Sequence, residues 1–519
     1  MTTKTTHSRI SKDEISISIP EKFKETVKNL MPLSVVINFK SEGNKCGLQF
    51  VISSTGSKGD YMYCAPYNNG SSSVFPCVEF NQPCEWYIEI ISPNADMIVI
   101  SNGNLISKNN DVYLFHLPKK TTARNILFFV GEFEIVVDEK FPQISYYCPP
   151  HFLEYLKMST APMANTLTFL QSKTQMDFPF DTYKAVFVEY LLDDYFTSAT
   201  VTLFHTDLLH NNRIVEQMFK TPYLLAAGLC EQYFGAYIEP KKWTDSWICW
   251  GLAEYLAGEF VKETSLEEQE KSTYKIKCKM NKLVKYEKTC EGIVLDASFY
   301  KDEMPFNAMD LRAMPQRYKK YYRIKSGLVV RSWVLSVSIR KVMNAFKLYL
   351  NEGNVIDYSV VEKTCLGRWK SLIENLIKKR GHLDISAKAH YHRKQRMIEL
   401  VVGQSNQKGT FLYPGCMDIG IQEPDGLFQR VIKIKPEIVC HIELTMCSKI
   451  SHLTTGQKLI TRNRNEIEGP ILGWVNLDPK MRLIGKVVNA QNENQTILAV
   501  KNESNVEAIL SSLLTLESC

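Results

Sequence analysis

The chain has 519 residues, 45% hydrophobic and 23% charged, the profile of an ordinary globular protein long enough for about three domains. Its net charge of +6 permits nucleic-acid contact and does not demand it. Its fourteen cysteines include no C-x-x-C pair, which argues against a zinc ribbon or a dense disulfide framework, and neither a signal peptide nor a membrane span is expected.

Met1 to Lys12 is polar and is expected to fray. Ile15 to Val137 is strand-rich, with β-branched and aromatic runs at Ser34-Val35-Val36-Ile37-Asn38-Phe39 and Trp86-Tyr87-Ile88-Glu89-Ile90-Ile91. Turn signals stand at Asn68-Asn69-Gly70 and Asn102-Gly103-Asn104, so an antiparallel β-domain is expected over 13–147. From Pro150 the periodicity turns helical: His151 to Ser172, with a break at Pro162, then Pro222 to Glu239, Trp247 to Glu263 and Ser326 to Leu350. Tyr183 to Tyr190 reads as a strand among them, and together these make a second domain over 148–384. Strands return at Met397 to Val402, Arg430 to Ile434 and Ile438 to Leu444, which predicts a β-sandwich over 385–488. Residues 489–519 form a divergent tail.

Three basic clusters are candidate contacts for DNA or a partner. Lys271 to Lys288 holds seven lysines and one glutamate, and Lys275, Lys277 and Lys279 alternate as on one face of a strand or extended loop. A phosphate-contacting surface and a solvated insertion loop both fit, and the loop is preferred. Arg317, Lys319, Lys320, Arg323 and Lys325 are interleaved with Tyr318, Tyr321 and Tyr322, either as a binding face or as a helix start with its tyrosines packed inward. Lys378, Lys379 and Arg380, then Lys388 to Arg396 with Arg393 and Lys394, flank the start of the sandwich, as a basic surface for DNA or a partner or as an ordinary solvated linker. His390 and His392 would share one side of a strand, but no third metal ligand is evident beside them.

From Ala226 to Ala253 the chain reads AAGLCEQYFGAYIEPKKWTDSWICWGLA. This resembles the zinc helix of the gluzincin aminopeptidases, where H-E-x-x-H runs into Q-W-F-G and a third ligand follows in W-L-N-E-G-F-A. The frame survives as Gln232, Tyr233, Phe234, Gly235, Trp243, Asp245, Trp247, Gly251 and Ala253. The resemblance puts the two ligand histidines on Ala227 and Glu231, the general base on Gly228, the third ligand on Trp250 and the transition-state tyrosine on Arg323. Asp193 to Val201 stands where a G-x-M-E-N motif would lie and contains no M-E-N. A catalytic zinc needs three protein ligands and an open position for water, so the resemblance implies a fold without its metal. Trp250 is expected to fill the vacated space.

Phe75 to Phe80 and Ser101 to Leu105 resemble the F-P-C-x-D-E and S-N-G-x-L stretches of the aminopeptidase N-terminal β-domain. Cys46 to Val51, Val74 to Cys77, Thr206 to Leu209, Trp243 to Trp247 and Gly473 to Pro479 are similar to the TFIID subunit 2 family, the branch of this superfamily that has lost its zinc site. The implied fold is mixed α and β and multidomain: a truncated antiparallel β-domain, a thermolysin-like α/β domain lacking zinc ligands, and a β-sandwich. The implied function is a non-catalytic scaffold of the general transcription factor TFIID, in the nucleus. Its partners would be TBP and other TBP-associated factors, with promoter DNA as a further candidate, and no cofactor, metal or membrane is expected. The alternative is a zinc aminopeptidase-like enzyme or a peptide-binding pseudo-peptidase.

Overall fold

The computed structural model describes residues 20–29, 32, 34–40, 48–52, 59–64, 74–77, 83–264, 266–290, 292–296, 315–350, 354–365, 367–392, 395–423, 426–447, 473–489, 493–502, 509 and 513. Residues Met1–Gly43 and Asn44–Cys519 form separate compact units. In the first, α1 (Glu21–Lys28) carries an acidic residue in its first turn and a basic one in its last, each matching the helix dipole. The strand expected over Ser34 to Phe39 does not form: the segment is irregular, and Val35, Val36, Ile37 and Phe39 are exposed. Strand propensity reflects fit to a pleated, half-buried surface, and this segment has none. The Asn68-Asn69-Gly70 turn lies outside the described residues.

The second unit begins with two small antiparallel sheets. One has the order β1 (Leu48–Val51), β2 (Tyr61–Cys64), β7 (Phe128–Gly131), β4 (Ile98–Ser101). The other has the order β3 (Cys84–Ile91), β6 (Val112–Thr121), β5 (Asn104–Asn109). Tyr113 and Phe115 alternate inward from β6 onto Val99 and Val130, which joins the two sheets. Between β4 and β5, Gly103 sits at φ +75° against the His116 carbonyl, leaving no room for a Cβ.

A five-stranded sheet follows, ordered β11 (Tyr195–Ser198), β12 (Val201–His205), β10 (Tyr183–Val188), β9 (Ile144–Cys148), β8 (Glu134–Val137). Its central strands are parallel and its edges antiparallel. Every residue of β10 is buried, as expected for a strand covered on both faces. One face packs on the first small sheet through Tyr61, Phe129, Val186 and Leu203, and the other receives the helices. The Ser101–Gly103 turn is stitched to this sheet. Asn102 donates to Ser198 Oγ (3.0 Å) and accepts from Leu127 N (2.6 Å), and Lys184 Nζ donates to the Ser101 carbonyl (2.9 Å). Glu239 makes a second tie, accepting from Thr121, Thr122 and Asn125.

Helix α2 (Leu153–Thr160) stops before Pro162, which opens α3 (Pro162–Thr174) at a position where its missing N–H costs nothing. Helix α4 (Val215–Tyr233) begins a full two turns before Pro222, where a start was expected. Pro222 removes only the N–H that would meet the Met218 carbonyl, in a turn where Met218 and Phe219 face solvent. Glu239, expected in that helix, lies instead in β13 (Glu239–Pro240), beyond the φ +139° turn at Gly235. Helix α5 (Ser246–Thr264) is followed by α6 (Leu266–Thr289). The helix expected over Ser326 to Leu350 is two, α7 (Gln316–Val337) and α8 (Ile339–Leu350), because Ser338 at φ 85° breaks it. Strand β14 (Val355–Ile356) pairs with β13, and two short helices follow, α9 (Ser359–Thr364) and α10 (Lys370–Lys378).

The last large element is a two-sheet sandwich. One sheet is ordered β19 (Val439–Thr445), β16 (Met397–Gln404), β15 (Leu383–His392), β21 (Gly485–Asn489); the other is β18 (Gly426–Ile434), β17 (Gly415–Glu423), β20 (Val475–Leu477). Alternate residues Ile398, Leu400 and Val402 face Met417, Ile419 and Ile421, giving the period-two burial of a sandwich core. A wholly buried ion pair fastens the sandwich to the helices: Lys325 Nζ lies 3.0 Å from Glu287 Oε1 and donates to the Gly381 carbonyl (2.9 Å), with His382 3.3 Å from Glu287 Oε2. A final helix, α11 (Glu493–Asn502), follows β21.

Candidate functional site

Helices α4, α5 and α7 converge where the resemblance to aminopeptidases would place a metal site. Two glycines bring them together. A Cβ on Gly228 of α4 would lie 2.7 Å from the Phe204 ring and 2.8 Å from Thr202, so the helix lies directly on β12. A Cβ on Gly251 of α5 would lie 2.6 Å from the Ser326 carbonyl, so α5 and α7 meet nearly backbone to backbone. The surviving frame residues hold this arrangement. Gln232 accepts from Thr200 N (2.8 Å) and donates to the Ser198 carbonyl (2.8 Å) and Thr202 Oγ1 (3.1 Å), pinning α4 to the β11–β12 turn. Tyr233, Phe234, Trp247 and Ala253 are core residues. Burial raises the Asp245 carboxyl to about 6, with Asp357 and Asp296 adding repulsion.

At the centre, Ala227 is fully buried and Glu231, one turn further along α4, is buried with it. Glu231 forms an ion pair with Arg323 of α7, both side chains largely hidden from solvent. Tyr195 from β11 completes the group: its hydroxyl donates to Glu231 Oε1 (2.8 Å) and accepts from Arg323 Nη2 (3.0 Å). The guanidinium is held between two aromatic faces, 4.9 Å from the Tyr195 ring centroid and 5.3 Å from that of Trp250. Trp250 in turn packs edge-on against Tyr322, whose hydroxyl is turned away to the Leu295 carbonyl (3.0 Å). Upstream, Asp193 pairs with Lys319 (3.3 Å) and Asp194 with Lys220 (2.9 Å). Among the described residues, no group of three or more His, Cys, Asp or Glu side chains is placed to hold a metal ion.

The basic candidates are spread over separate elements. Lys275, Lys277 and Lys279 do not alternate on a strand or loop: they lie on α6, where Lys275 and Lys279 share a face and Lys277 points elsewhere. The helical spacing of Met280, Leu283 and Glu287, all buried, is the stronger signal. Lys279 bonds to Glu254 (3.2 Å) and the Tyr223 hydroxyl (2.6 Å), and burial lowers the pKa of Lys277. Tyr318 and Tyr322 are packed inward, Lys319 is engaged by Asp193, and Lys320 is exposed. Lys378 lies over the Tyr358 ring, Lys379 over that of Phe411, and Arg380 beside them is half-buried. Arg393 and Lys394 lie outside the described residues. His390 and His392 share the exposed face of β15, and His392 reaches Glu399 (3.4 Å), which also meets His441 (3.0 Å). The role of Tyr195 had no local signal, since its partners are 36 and 128 positions away in the chain.

Residues 380–492 match the family model described as the TAF2 Ig-like domain. Proteins named transcription initiation factor TFIID subunit 2 align with almost the whole chain: that of Drosophila melanogaster is 25% identical over 98% of it, and those of Gallus gallus and Danio rerio are each 26% identical over 97%. The chain is similar to proteins named TFIID subunit 2. It spans about half the length of these relatives, covering 46%, 47% and 46% of them. Among solved structures, aminopeptidase A of Legionella pneumophila, crystallised with aspartic acid, is similar at a TM-score of 0.66 and 11% identity, over 89% of this chain and 51% of that one. That likeness concerns the fold, which is mixed α and β and aminopeptidase-like, with an Ig-like sandwich.

Proposed function

We propose that this chain is a non-catalytic scaffold of TFIID that supports assembly of the factor for transcription initiation. The observation that carries the reading is its alignment over nearly its full length with proteins of that name. The site geometry supports the non-catalytic part. Of the positions that the aminopeptidase pattern gives to metal and base, Ala227, Gly228 and Trp250 offer no ligand atom. The one carboxylate, Glu231, is already neutralised by Arg323 and hydrogen-bonded by Tyr195. A zinc ion with three protein ligands does not fit this donor set.

On this reading the chain acts in the nucleus, divides near 147, 384 and 488, and binds TBP and other TBP-associated factors. Promoter DNA is a further proposed partner through exposed cations such as Lys320, and that binding should weaken as salt rises. The test is affinity purification of the tagged protein from nuclear extract with mass spectrometry of what is recovered. Recovery of TBP and its associated factors is expected; their absence would count against the assignment. The second reading, a zinc aminopeptidase-like or peptide-binding protein, draws on the fold likeness alone.

A further inference from the structure

One helical turn along from the Glu231–Arg323–Trp250 cluster, the same three helix faces open into a groove. Residues four apart on a helix share a face. Tyr223 therefore stands beside Ala227 on α4, Glu254 beside Trp250 on α5, and Gly327 beside Arg323 on α7. With α6 they bound a cavity of about 480 Å³, a size suited to a small ligand or the anchoring side chains of a peptide. The walls are mainly apolar, from Phe219, Tyr255, Ile276, Ile324 and Leu328. The polar groups on the floor satisfy one another, since Lys279 and the Tyr223 hydroxyl both bind Glu254. The lining carries six basic side chains against three acidic ones, with Lys275, Lys282 and Arg331 among the basic set.

Gly258 gives a second observation. It lies within α5, lines the groove, and a Cβ built there would have nothing within 4 Å. A glycine inside a helix is about 1 kcal/mol less favourable than alanine. Close packing explains Gly228 and Gly251, but not Gly258; what its missing side chain provides is room in the groove.

We propose that this groove docks an acidic amphipathic peptide segment of a partner protein, its apolar side chains in the cavity and its carboxylates along the lysines of α6. Apolar walls offer phosphates nothing, so nucleic acid is the poorer occupant. The proposal rests on the chemistry of the groove and not on the transcription assignment.

The test is fluorescence anisotropy with a labelled helical peptide bearing Leu and Phe at i, i+3, i+4 and i+7 and Asp or Glu elsewhere. The comparators are the same peptide with Lys and Arg in the acidic positions, and a DNA duplex. The acidic peptide should bind at least about tenfold tighter than either, and more weakly as salt rises. Gly258→Phe should reduce that affinity at least about tenfold without lowering Tm, because its ring enters the groove from a position where a Cβ meets nothing within 4 Å. Lys275→Glu with Lys282→Glu should weaken the acidic peptide and strengthen the basic one. Absence of binding by the acidic peptide, equal binding of the basic peptide or DNA, or an unchanged affinity in Gly258→Phe would overturn the proposal.

Discussion

Glu231 and Arg323 neutralise each other in a largely dry setting, and the worth of the pair depends on what replaces it. Removing only the guanidinium leaves a carboxylate that water hardly reaches, with Tyr195 as its remaining partner. Arg323→Ala should therefore cost about 3–5 kcal/mol in urea unfolding, whereas Glu231→Leu combined with Arg323→Met should stay close to wild type or exceed it. Equal stability of wild type and Arg323→Ala would mean that the pair does not hold the site together. The sequence showed which side chains stand at these positions, because Gln232 to Gly235 and Trp247 to Ala253 set the frame. It did not show the pairing, since Arg323 lies 92 positions beyond Glu231 and Tyr195 lies on another element.

At the scale of elements, small residues decide where the helices go. Gly228 lets α4 rest on Phe204 and Thr202, and Gly251 lets α5 reach the Ser326 carbonyl. Gly228→Ala should cost about 1–3 kcal/mol by overpacking, measured by the same unfolding assay, and the larger Gly228→Glu should fail to fold or lose more. A neutral Gly228→Ala would mean that α4 can lift from the sheet freely.

Local patterns were most legible where one residue dominates, as at Pro162, or where alternation is strong, as in β16. They misled where two periods compete. The lysines of α6 alternate by eye, yet Met280, Leu283 and Glu287 keep the helical spacing that burial enforces. Pro222 looked like a helix start because its missing N–H is costly in a helix interior, but here it faces a solvent-exposed turn. The apolar run at Ser34 to Phe39 has strand composition but no sheet among its described neighbours.

For the whole molecule, buried polar ties add to the cores that join the layers, and Lys184 is one that responds to pH. Burial lowers its pKa from the ordinary value of 10.5 to about 7, while its ammonium binds the carbonyls of Ser101 and Gly103. Between about pH 7 and 10.5 the unfolded chain holds more protons at this site than the folded one, so this group makes stability rise with pH across that window. Lys184→Met should flatten that rise in unfolding experiments run from pH 7 to 10; an identical slope in the variant would show that Lys184 does not titrate there.

The overall architecture was readable because three successive sequence textures, strand-rich, helical and strand-rich again, correspond to the sheets, the helical layer and the sandwich. The buried contact of Lys325, Glu287 and His382 that joins the last two was not, since its members lie on α7, α6 and the approach to β15. We propose that the Glu231–Arg323 ion pair stands where the aminopeptidase pattern would hold a metal. Zinc content of the purified protein, by inductively coupled plasma mass spectrometry after incubation with zinc and desalting, tests it most directly. The account predicts far less than one zinc per chain, unchanged by Glu231→Ala. One zinc per chain, lost in Glu231→Ala, would contradict it.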